Sequence, residues 1–338
     1  MSERSPSMGG KVTIRTVAED AGVSVAAVSK VLRNAYGVSD QLRAKVEASI
    51  KKLGYRPSTA ARGMRGRTYA IGVLLVNLSN PFLPIVVGGV QTALRLANYK
   101  MLVGISEAQA HLEQSLIESM IDMRIDGLVL VAPRLTGESL SRFADQVPMV
   151  VIGHHENSAE RFDTVNSNDR LGARLAVEAL IAAGHSDVHM VSLPHTNGEF
   201  EVFHKREAGY LDAMRSAGLE NRSRICNLPE EADPEDILRH LLSAPVPPTA
   251  VFCWSDLHGV GLLNAAKVKG IDVPGRLAIA GYDNTPEAAL PLIGLTSIDQ
   301  CGGELGKLSA ATLLSRIAGR TGAKHHIVDP VLVQRTSS

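Results

Sequence analysis

Apolar positions near the start of the chain repeat every three or four residues, as in amphipathic helices. The first two predicted helices carry Ile14, Val17 and Ala18 and then Val28, Val31 and Leu32 on one face each. Gly22 supplies a tight turn between them, because glycine readily adopts the left-handed backbone that such a turn needs. A third pattern begins at Ser39 and ends before Gly54. Three short helices with one tight turn predict a helix-turn-helix head.

From residue 69 onward the pattern changes to short apolar runs that alternate with helical stretches. This alternation is typical of βα units that build a parallel sheet. The first series of predicted strands comprises 69–77, 101–106, 127–132 and 148–153. The second series comprises 163–167, 187–193, 223–228, 249–254 and 277–282. We therefore predict two open α/β lobes with a ligand cleft between them, at the carboxyl ends of the strands.

Charge is distributed unevenly, although the 35 Lys and Arg balance the 35 Asp and Glu. Residues 1–67 hold 13 of the basic residues and 5 of the acidic ones. A basic head on a mildly acidic body is typical of a protein whose head contacts phosphate groups. A basic face that merely contacts water is the alternative, and charge counting leaves it open.

Other compositional features limit the class of protein. No apolar run approaches the roughly 20 residues that a membrane span needs, and residues 1–11 lack the apolar core of a signal peptide. We expect a cytoplasmic protein without a membrane partner. Cys226, Cys253 and Cys301 show no paired spacing, so we expect neither a disulfide framework nor a zinc site, and no cofactor.

The head resembles the DNA-binding region of the lac repressor (LacI/GalR) family. The resemblance rests on VAEDAGVSVAAVSKVL, GVSDQLRAKV and LGYRPSTAARGM, which keep the spacing of the family without a gap. It implies that the second helix enters the major groove of DNA. It also implies a hinge helix that folds on operator DNA and inserts Met64 between base pairs of the minor groove.

The resemblance assigns DNA contacts by position. Val25, Ala26 and Lys30 are expected to reach base edges, and Lys30 can donate to guanine. Backbone or hinge contacts are expected from Thr13, Ser24, Ser29, Arg33, Ser39, Tyr55 and Ser58. For Ser24 and Ser39 the alternative is helix capping, since each stands at a helix start.

The body resembles the two-lobed domain that this family shares with periplasmic sugar-binding proteins. Matching segments are SNPF at 79–82, EALIAAGH at 178–185, REAGY at 206–210, WSD at 254–256, GYDN at 281–284 and TSIDQ at 296–300. The resemblance implies effector contacts from Asn80, Phe82, His154, Phe200, Arg206, Trp254, Ser255, Asp283 and Gln300. An internal ion pair is the alternative for Arg206 and Asp283, and core packing is the alternative for Phe82 and Trp254.

The expected domain organisation follows from these segments. It comprises a disordered leader at 1–10, a helix-turn-helix domain at 11–57, a hinge and linker at 58–67 and an effector-binding and dimerisation domain at 68–338. Lobe one is expected at about 68–161 and 300–325, and lobe two at about 162–299 and 326–338. A final strand near 326–335 is assigned to lobe two.

These features predict a transcriptional regulator, most simply a repressor, that is not an enzyme. Its expected partners are palindromic operator DNA, a sugar-like effector and a second copy of the chain, because paired recognition helices read a palindrome. No leucine heptad follows the last strand, so a dimer is expected. The alternatives are an enzyme with a basic head, a transport-type binding protein, and regulation by a protein in place of a small molecule. The histidines lack the spacing of an H-E-x-x-H metal site, and no G-x-S-x-G or P-loop motif occurs.

Overall fold

The computed structural model describes residues 12–32, 35–56, 66–194, 202–229 and 231–338. The chain divides into two compact units, Met1–Thr68 and Tyr69–Ser338. The described part of the first unit is helical, and the second is an α/β unit with two sheets. The predicted fold class is therefore confirmed.

The helical unit contains three described helices, α1 (Ile14–Ala21), α2 (Val25–Leu32) and α3 (Asp40–Leu53). A hydroxyl caps each of them: Thr13 accepts from the backbone N–H of Thr16, Ser24 from that of Ala27, and Ser39 from that of Leu42. Gly22 ends α1 with a φ of 61°, which a residue with a Cβ adopts only at a cost. The helices bury one small apolar core, made by Val17, Ala18, Ala21, Val28, Val31 and Val46.

Lobe one of the α/β unit is built on a six-stranded parallel sheet with the order β11-β5-β4-β3-β1-β2. Its strands are β1 (Ala70–Leu75), β2 (Lys100–Ile105), β3 (Gly127–Val131), β4 (Met149–Ile152), β5 (Asp163–Ser167) and β11 (His325–Val328). Its helices are α4 (Phe82–Leu96), α5 (Ala110–Asp122), α6 (Gly137–Ala144) and α11 (Gly302–Ile317).

Lobe two repeats the plan with the order β12-β10-β9-β8-β6-β7, in which β12 runs antiparallel to β10 and the other pairs are parallel. Its strands are β6 (Val188–Ser192), β7 (Arg224–Asn227), β8 (Ala250–Cys253), β9 (Ala278–Tyr282), β10 (Thr296–Asp299) and β12 (Val331–Val333). Its helices are α7 (Asp169–Ala182), α8 (Val202–Ser216), α9 (Pro234–Leu242) and α10 (Asp256–Val268). Each sheet has buried apolar residues in two clusters, as a sheet with helices on both faces requires.

The strand at 163–167 was predicted for lobe two, and that prediction is wrong. β5 pairs in parallel with β4 and with β11, so it belongs to the sheet of lobe one. Its first residue, Asp163, is fully buried and accepts hydrogen bonds from Arg316 and Arg320 at 2.7–3.0 Å. These arginines lie in and directly after α11 of lobe one, so the ion cluster holds β5 there.

The last strand near 326–335 was assigned whole to lobe two, and this is also incorrect. The segment divides: β11 completes the sheet of lobe one, and β12 pairs with β10 in lobe two. Pro330 separates them, and proline cannot donate a hydrogen bond to either ladder. The chain crosses between lobes three times, after β5, after β10 and between β11 and β12. As predicted, the segment after Gln300 returns to lobe one, where α11 packs against α4.

Candidate functional site: the cleft between the two lobes

A cavity lies at the carboxyl ends of the strands of both sheets, where the two lobes meet. Its open space is about 830 Å³, which includes solvent at the mouth. Polar lining residues are Asn77, Asn80, Arg134, Ser167, Asp169, Arg206, Asp283 and Gln300. The lining also contains the aromatic residues Phe82, Phe203 and Trp254.

Arg206, which α8 presents to the cavity, is the buried cation at the centre of the cleft. Its Nε donates to Oδ1 of Asp169 at 2.8 Å, and its Nη1 donates to the backbone carbonyl of Trp254. Both side chains of the ion pair are almost inaccessible, at 3% and 1% exposure. Burial raises the pKa of Asp169, because it disfavours the charged carboxylate. Arg206 and His155 outweigh burial and hold this pKa below its ordinary value. The cleft therefore contains a fixed guanidinium with a neutralising carboxylate.

Aromatic rings fix the plane of this guanidinium. Its carbon lies 3.7 Å from the ring centroid of Tyr282 and 5.5 Å from that of Trp254. A cation that lies above the face of an aromatic ring is attracted by the negative potential of that face. Burial alone lowers the pKa of Arg206, but Asp169 outweighs it and the pKa is raised. Arg206 therefore stays charged, and the Nη2 group has no protein partner among the described contacts.

Asp283 is the second buried carboxyl of the cleft. Its Oδ2 accepts from Nδ2 of Asn80 at 3.1 Å, its Oδ1 accepts from Nε2 of Gln300, and Nη1 of Arg206 lies 3.8 Å away. Burial raises its pKa to about 7, against the opposing effect of Arg206. Its φ is 114°, a backbone conformation that is unusual for a residue other than glycine and that often occurs at binding sites.

Polar contacts between described residues join the lobes across the cleft. The bond from Asn80 to Asp283 connects the loop after β1 with the loop after β9. The second links His155, after β4, to Asp169 at the start of α7, with Nε2 and Oδ2 2.8 Å apart. Because Asp169 also holds Arg206, the buried cation of lobe two is tied to lobe one. A ligand that altered either contact would alter how the lobes meet.

The structure brings together six of the nine predicted effector residues: Asn80, Phe82, Arg206, Trp254, Asp283 and Gln300 all line the cavity. His154 and Ser255 do not line it. The ring of His154 lies 2.9 Å from the carboxylate of Glu156, and the hydroxyl of Ser255 lies 3.3 Å from Nδ1 of His258, so each faces its own lobe. Phe200 lies outside the described residues.

Sequence reasoning missed Asp169, Ser167, Arg134 and Phe203, which also line the cavity. Asp169 and Ser167 flank Asn168, which caps α7 by accepting from Leu171. The helix dipole favours an acidic residue in the first turn of a helix. Asp169 in the first turn of α7 therefore does not by itself indicate a buried ion pair. The signal that could have found it is its place directly after a strand end.

In the helical unit, the residues predicted to contact DNA occupy the start and one exposed side of α2. Ala26 and Lys30 are exposed, and Val25 and Ser29 are half-buried. Thr13, Ser24 and Ser39 are exposed and each accepts a backbone hydrogen bond at a helix start, while Tyr55 packs partly against the head core. Arg33, Ser58 and Met64 lie outside the described residues, as does most of the predicted hinge.

No helix in the described parts of the chain is long and apolar enough to cross a membrane. Within the same residues, no group of three or more His, Cys, Asp or Glu could hold a metal ion.

Known proteins resemble both units. Residues 13–58 match the bacterial regulatory proteins of the lacI family, and residues 177–338 match the periplasmic binding protein-like domain. The ribose operon repressor of Escherichia coli (strain K12) is 32% identical over 340 residues, which cover 96% of this chain and 99% of that protein.

Solved structures share the fold. The complex of the transcriptional regulator CelR with cellobiose has a TM-score of 0.71 at 26% identity and covers 97% of this chain and 100% of its own. The lac repressor dimer bound to operator and the anti-inducer ONPF has a TM-score of 0.81 at 23% identity. It covers 97% of this chain and 99% of its own. With a helix-turn-helix head, two α/β lobes and a repressor relative over nearly its whole length, the chain belongs to the lacI family of bacterial regulatory proteins and is a DNA-binding transcriptional regulator.

Proposed function

We propose that this regulator is a repressor whose affinity for a palindromic operator is controlled by a small, sugar-like molecule bound between the lobes. The observation that carries the proposal is the buried cluster of Asp169, Arg206 and Asp283 in a cavity with aromatic walls. Carboxylates and a guanidinium hold hydroxyl groups, and an aromatic face packs against the apolar face of a sugar ring.

The charges of the cluster favour an uncharged ligand. Arg206 is already paired with Asp169, and Asp283 lies 3.8 Å from the same guanidinium. An anionic ligand would meet two carboxyls and only one partly used guanidinium in a site of low dielectric. A neutral polyol gains hydrogen bonds without adding an unpaired charge. The relatives named above are described as a ribose operon repressor and as a cellobiose complex, which supports this class of ligand.

Control of DNA binding requires that the ligand bind two states of the protein with different affinity. The contacts from Asn80 to Asp283 and from His155 to Asp169 cross between the lobes at the cavity, so a ligand there interacts with both lobes. We infer that the ligand shifts the balance between two lobe arrangements in a homodimer. Two heads in a dimer read the two halves of a palindrome. The relatives are repressors, so we infer binding rather than catalysis as the use of this cleft.

The test begins with genomic DNA fragments that the purified protein retains, from which the operator is identified. D-ribose, cellobiose, D-glucose and a nucleoside are then screened for their effect on the melting temperature of the protein. We expect one compound of this class to raise it and to change operator affinity about tenfold or more, a coupling of roughly 1–3 kcal/mol. A compound that binds the cleft and leaves operator affinity unchanged would contradict the proposal.

A further inference from the structure

The turn that directly follows β9 has two successive residues in the left-handed backbone region. Asp283 has a φ of 114°, and Asn284 has a φ of 51°. Residues other than glycine rarely adopt this region, although asparagine and aspartate do so more readily than most. Asp283 lines the cavity, whereas Asn284 is not among the described residues that line it. Any effect of Asn284 on a ligand must therefore pass through its neighbours.

The side chain of Asn284 joins this turn to two other segments of lobe two. Its Nδ2 donates at 3.0 Å to Oδ2 of Asp299, the last residue of β10, and its Oδ1 accepts from Nη2 of Arg335. Arg335 lies after β12, and its Nη1 also donates to the carbonyl of Leu295 at 2.6 Å. The backbone N–H of Asn284 donates to the hydroxyl of Ser297 at 3.0 Å. The turn is therefore held by β10 and by the C-terminal segment together.

The same turn is bonded to the start of one crossover between the lobes, the one that follows β10. Asn284 donates to Asp299, as described above. The preceding residue of the turn, Asp283, accepts from the next residue of the crossover, Gln300. The other carboxylate oxygen of Asp299 accepts at 2.7 Å from the backbone N–H of Cys301, which immediately precedes α11 of lobe one. A displacement of the turn therefore displaces the start of the crossover as well.

We infer that Asn284 is a positioning residue, which fixes the carboxyl of Asp283 at the cavity and couples it to the crossover that leads into α11. The inference rests on the proposed function, because Asn284 acts on the same cleft. A ligand that contacts Asp283 then affects lobe one through Asn284 and Asp299, in addition to the contacts that cross the cavity. Loss of the Asn284 side chain weakens both ligand binding and the effect of the ligand on operator affinity. A purely structural role would lower stability and leave both unchanged.

The test compares Asn284→Gly with Ser337→Ala in the full-length protein. Glycine adopts a φ of 51° without strain, so the first change removes the side-chain contacts and keeps the turn. Ser337 is the matched control, because its hydroxyl also attaches the C-terminal segment to lobe two. It donates to the carbonyl of Ile279 at 2.6 Å and accepts from the backbone N–H of Thr296 at 2.8 Å, away from the turn. We expect both variants to melt below the wild type, because each loses two side-chain hydrogen bonds.

D-ribose and cellobiose are the probes of binding, added to the free protein and to its complex with operator DNA. For a probe that binds the wild type, we expect about 3–10-fold weaker binding to Asn284→Gly and unchanged binding to Ser337→Ala. The change in operator Kd that the probe causes should shrink by about threefold or more in Asn284→Gly alone. A match between Asn284→Gly and the wild type in either measurement would overturn the inference, and so would equal losses in both variants.

A second variant and a measurement without ligand complete the test. Arg335→Met removes the guanidinium that donates to Asn284 and leaves the residues of the turn unchanged. It should show the same losses, and it replaces Asn284→Gly if that variant does not fold. Without ligand, hydrogen exchange of the backbone amides at 299–305 should be about threefold or more faster in Asn284→Gly than in Ser337→Ala, because Asp299 loses a partner. Failure of both probes to bind the wild type would count against the proposed ligand class. The exchange rates would then decide the inference about Asn284, and equal rates would overturn it.

Discussion

Arg206 combines a structural role in the cleft with a proposed role in binding. Its charge is stable in the interior because Asp169 pairs with it and Tyr282 stacks beneath it. Breaking a buried ion pair leaves an uncompensated charge, which costs far more than breaking an exposed pair. The pair is therefore a structural requirement of the cleft as well as a candidate ligand contact.

The first prediction concerns this pair. Asp169→Asn should lower the free energy of unfolding by roughly 3–5 kcal/mol in urea denaturation, because the guanidinium loses its charged partner. Asp212→Asn is the control, since Asp212 pairs with Arg170 at the surface, where the two side chains are 24% and 60% exposed. That change should cost less than about 1 kcal/mol. Equal losses of unfolding free energy in the two variants would show that the buried pair stabilises the fold no more than a surface pair does.

The second prediction concerns pH. Burial raises the pKa of Asp283 to about 7 from an ordinary value of 3.8. Between these values the folded protein keeps a proton that the unfolded chain releases, so stability falls as pH rises and levels off above the folded value. The wild type should therefore lose stability relative to Asp283→Asn between about pH 5 and about pH 7, in denaturation curves measured at each pH. A difference that stays constant with pH would mean that Asp283 is ionised in the fold throughout.

Position at the end of a predicted strand was sufficient to place several residues at the cavity, while their contact with an effector stays a prediction. Asn80 and Asp283 closely follow predicted strands, Trp254 ends one, and all three line the cavity. His154 and Ser255 do not line the cavity, because a polar neighbour in the same lobe engages each side chain. Such local pairing depends on backbone direction over one or two residues, which periodicity does not specify.

At the scale of elements, the contact between α4 and α11 depends on glycine. A Cβ on Gly89 would overlap the backbone carbonyl oxygen of Gly303, and a Cβ on Gly306 would overlap that of Val86. Backbone atoms of a packed helix cannot move aside as a flexible side chain can. The two helices are therefore held at a distance that only glycine permits at these positions.

The third prediction uses two adjacent glycines of α4. Gly89→Ala should lower the free energy of unfolding by about 1–3 kcal/mol, because the helices must separate. At Gly88 a Cβ would meet no atom within 4 Å, so Gly88→Ala should raise stability by up to about 1 kcal/mol through the better helix propensity of alanine. Thermal or urea denaturation distinguishes the two. Similar effects of both changes would refute the close packing of α4 and α11.

Among the elements, the strands with continuous apolar runs were predictable, since β1, β3, β4 and β8 are buried along their whole length. The lobe to which β5 belongs was not predictable, because contacts between Asp163 and two arginines more than 150 residues later hold β5 in lobe one. The short strands β11 and β12 also escaped separate prediction. Each has four residues or fewer and lies at a sheet edge, where burial leaves a weak pattern.

At the scale of the whole molecule, the sequence indicated two functions in two units: a basic helical head and a larger α/β body with a cleft. The family relationship and the two-sheet topology agree with that division. The cavity residues Asp169, Arg206 and Asp283 come together from three separate stretches of the chain. Spacing along the sequence carries little information about such distant contacts.

The most direct test of the account is the operator affinity of the wild type and of Arg206→Ala, each measured with and without the compound that stabilises the wild type. We expect the compound to change the operator Kd of the wild type by about tenfold or more. Folded Arg206→Ala should bind the same operator with the same salt dependence, because its head is intact, but should no longer respond to the compound. A variant that responds as the wild type does would contradict control through this cleft, and a wild type without sequence-specific DNA binding would contradict the account as a whole.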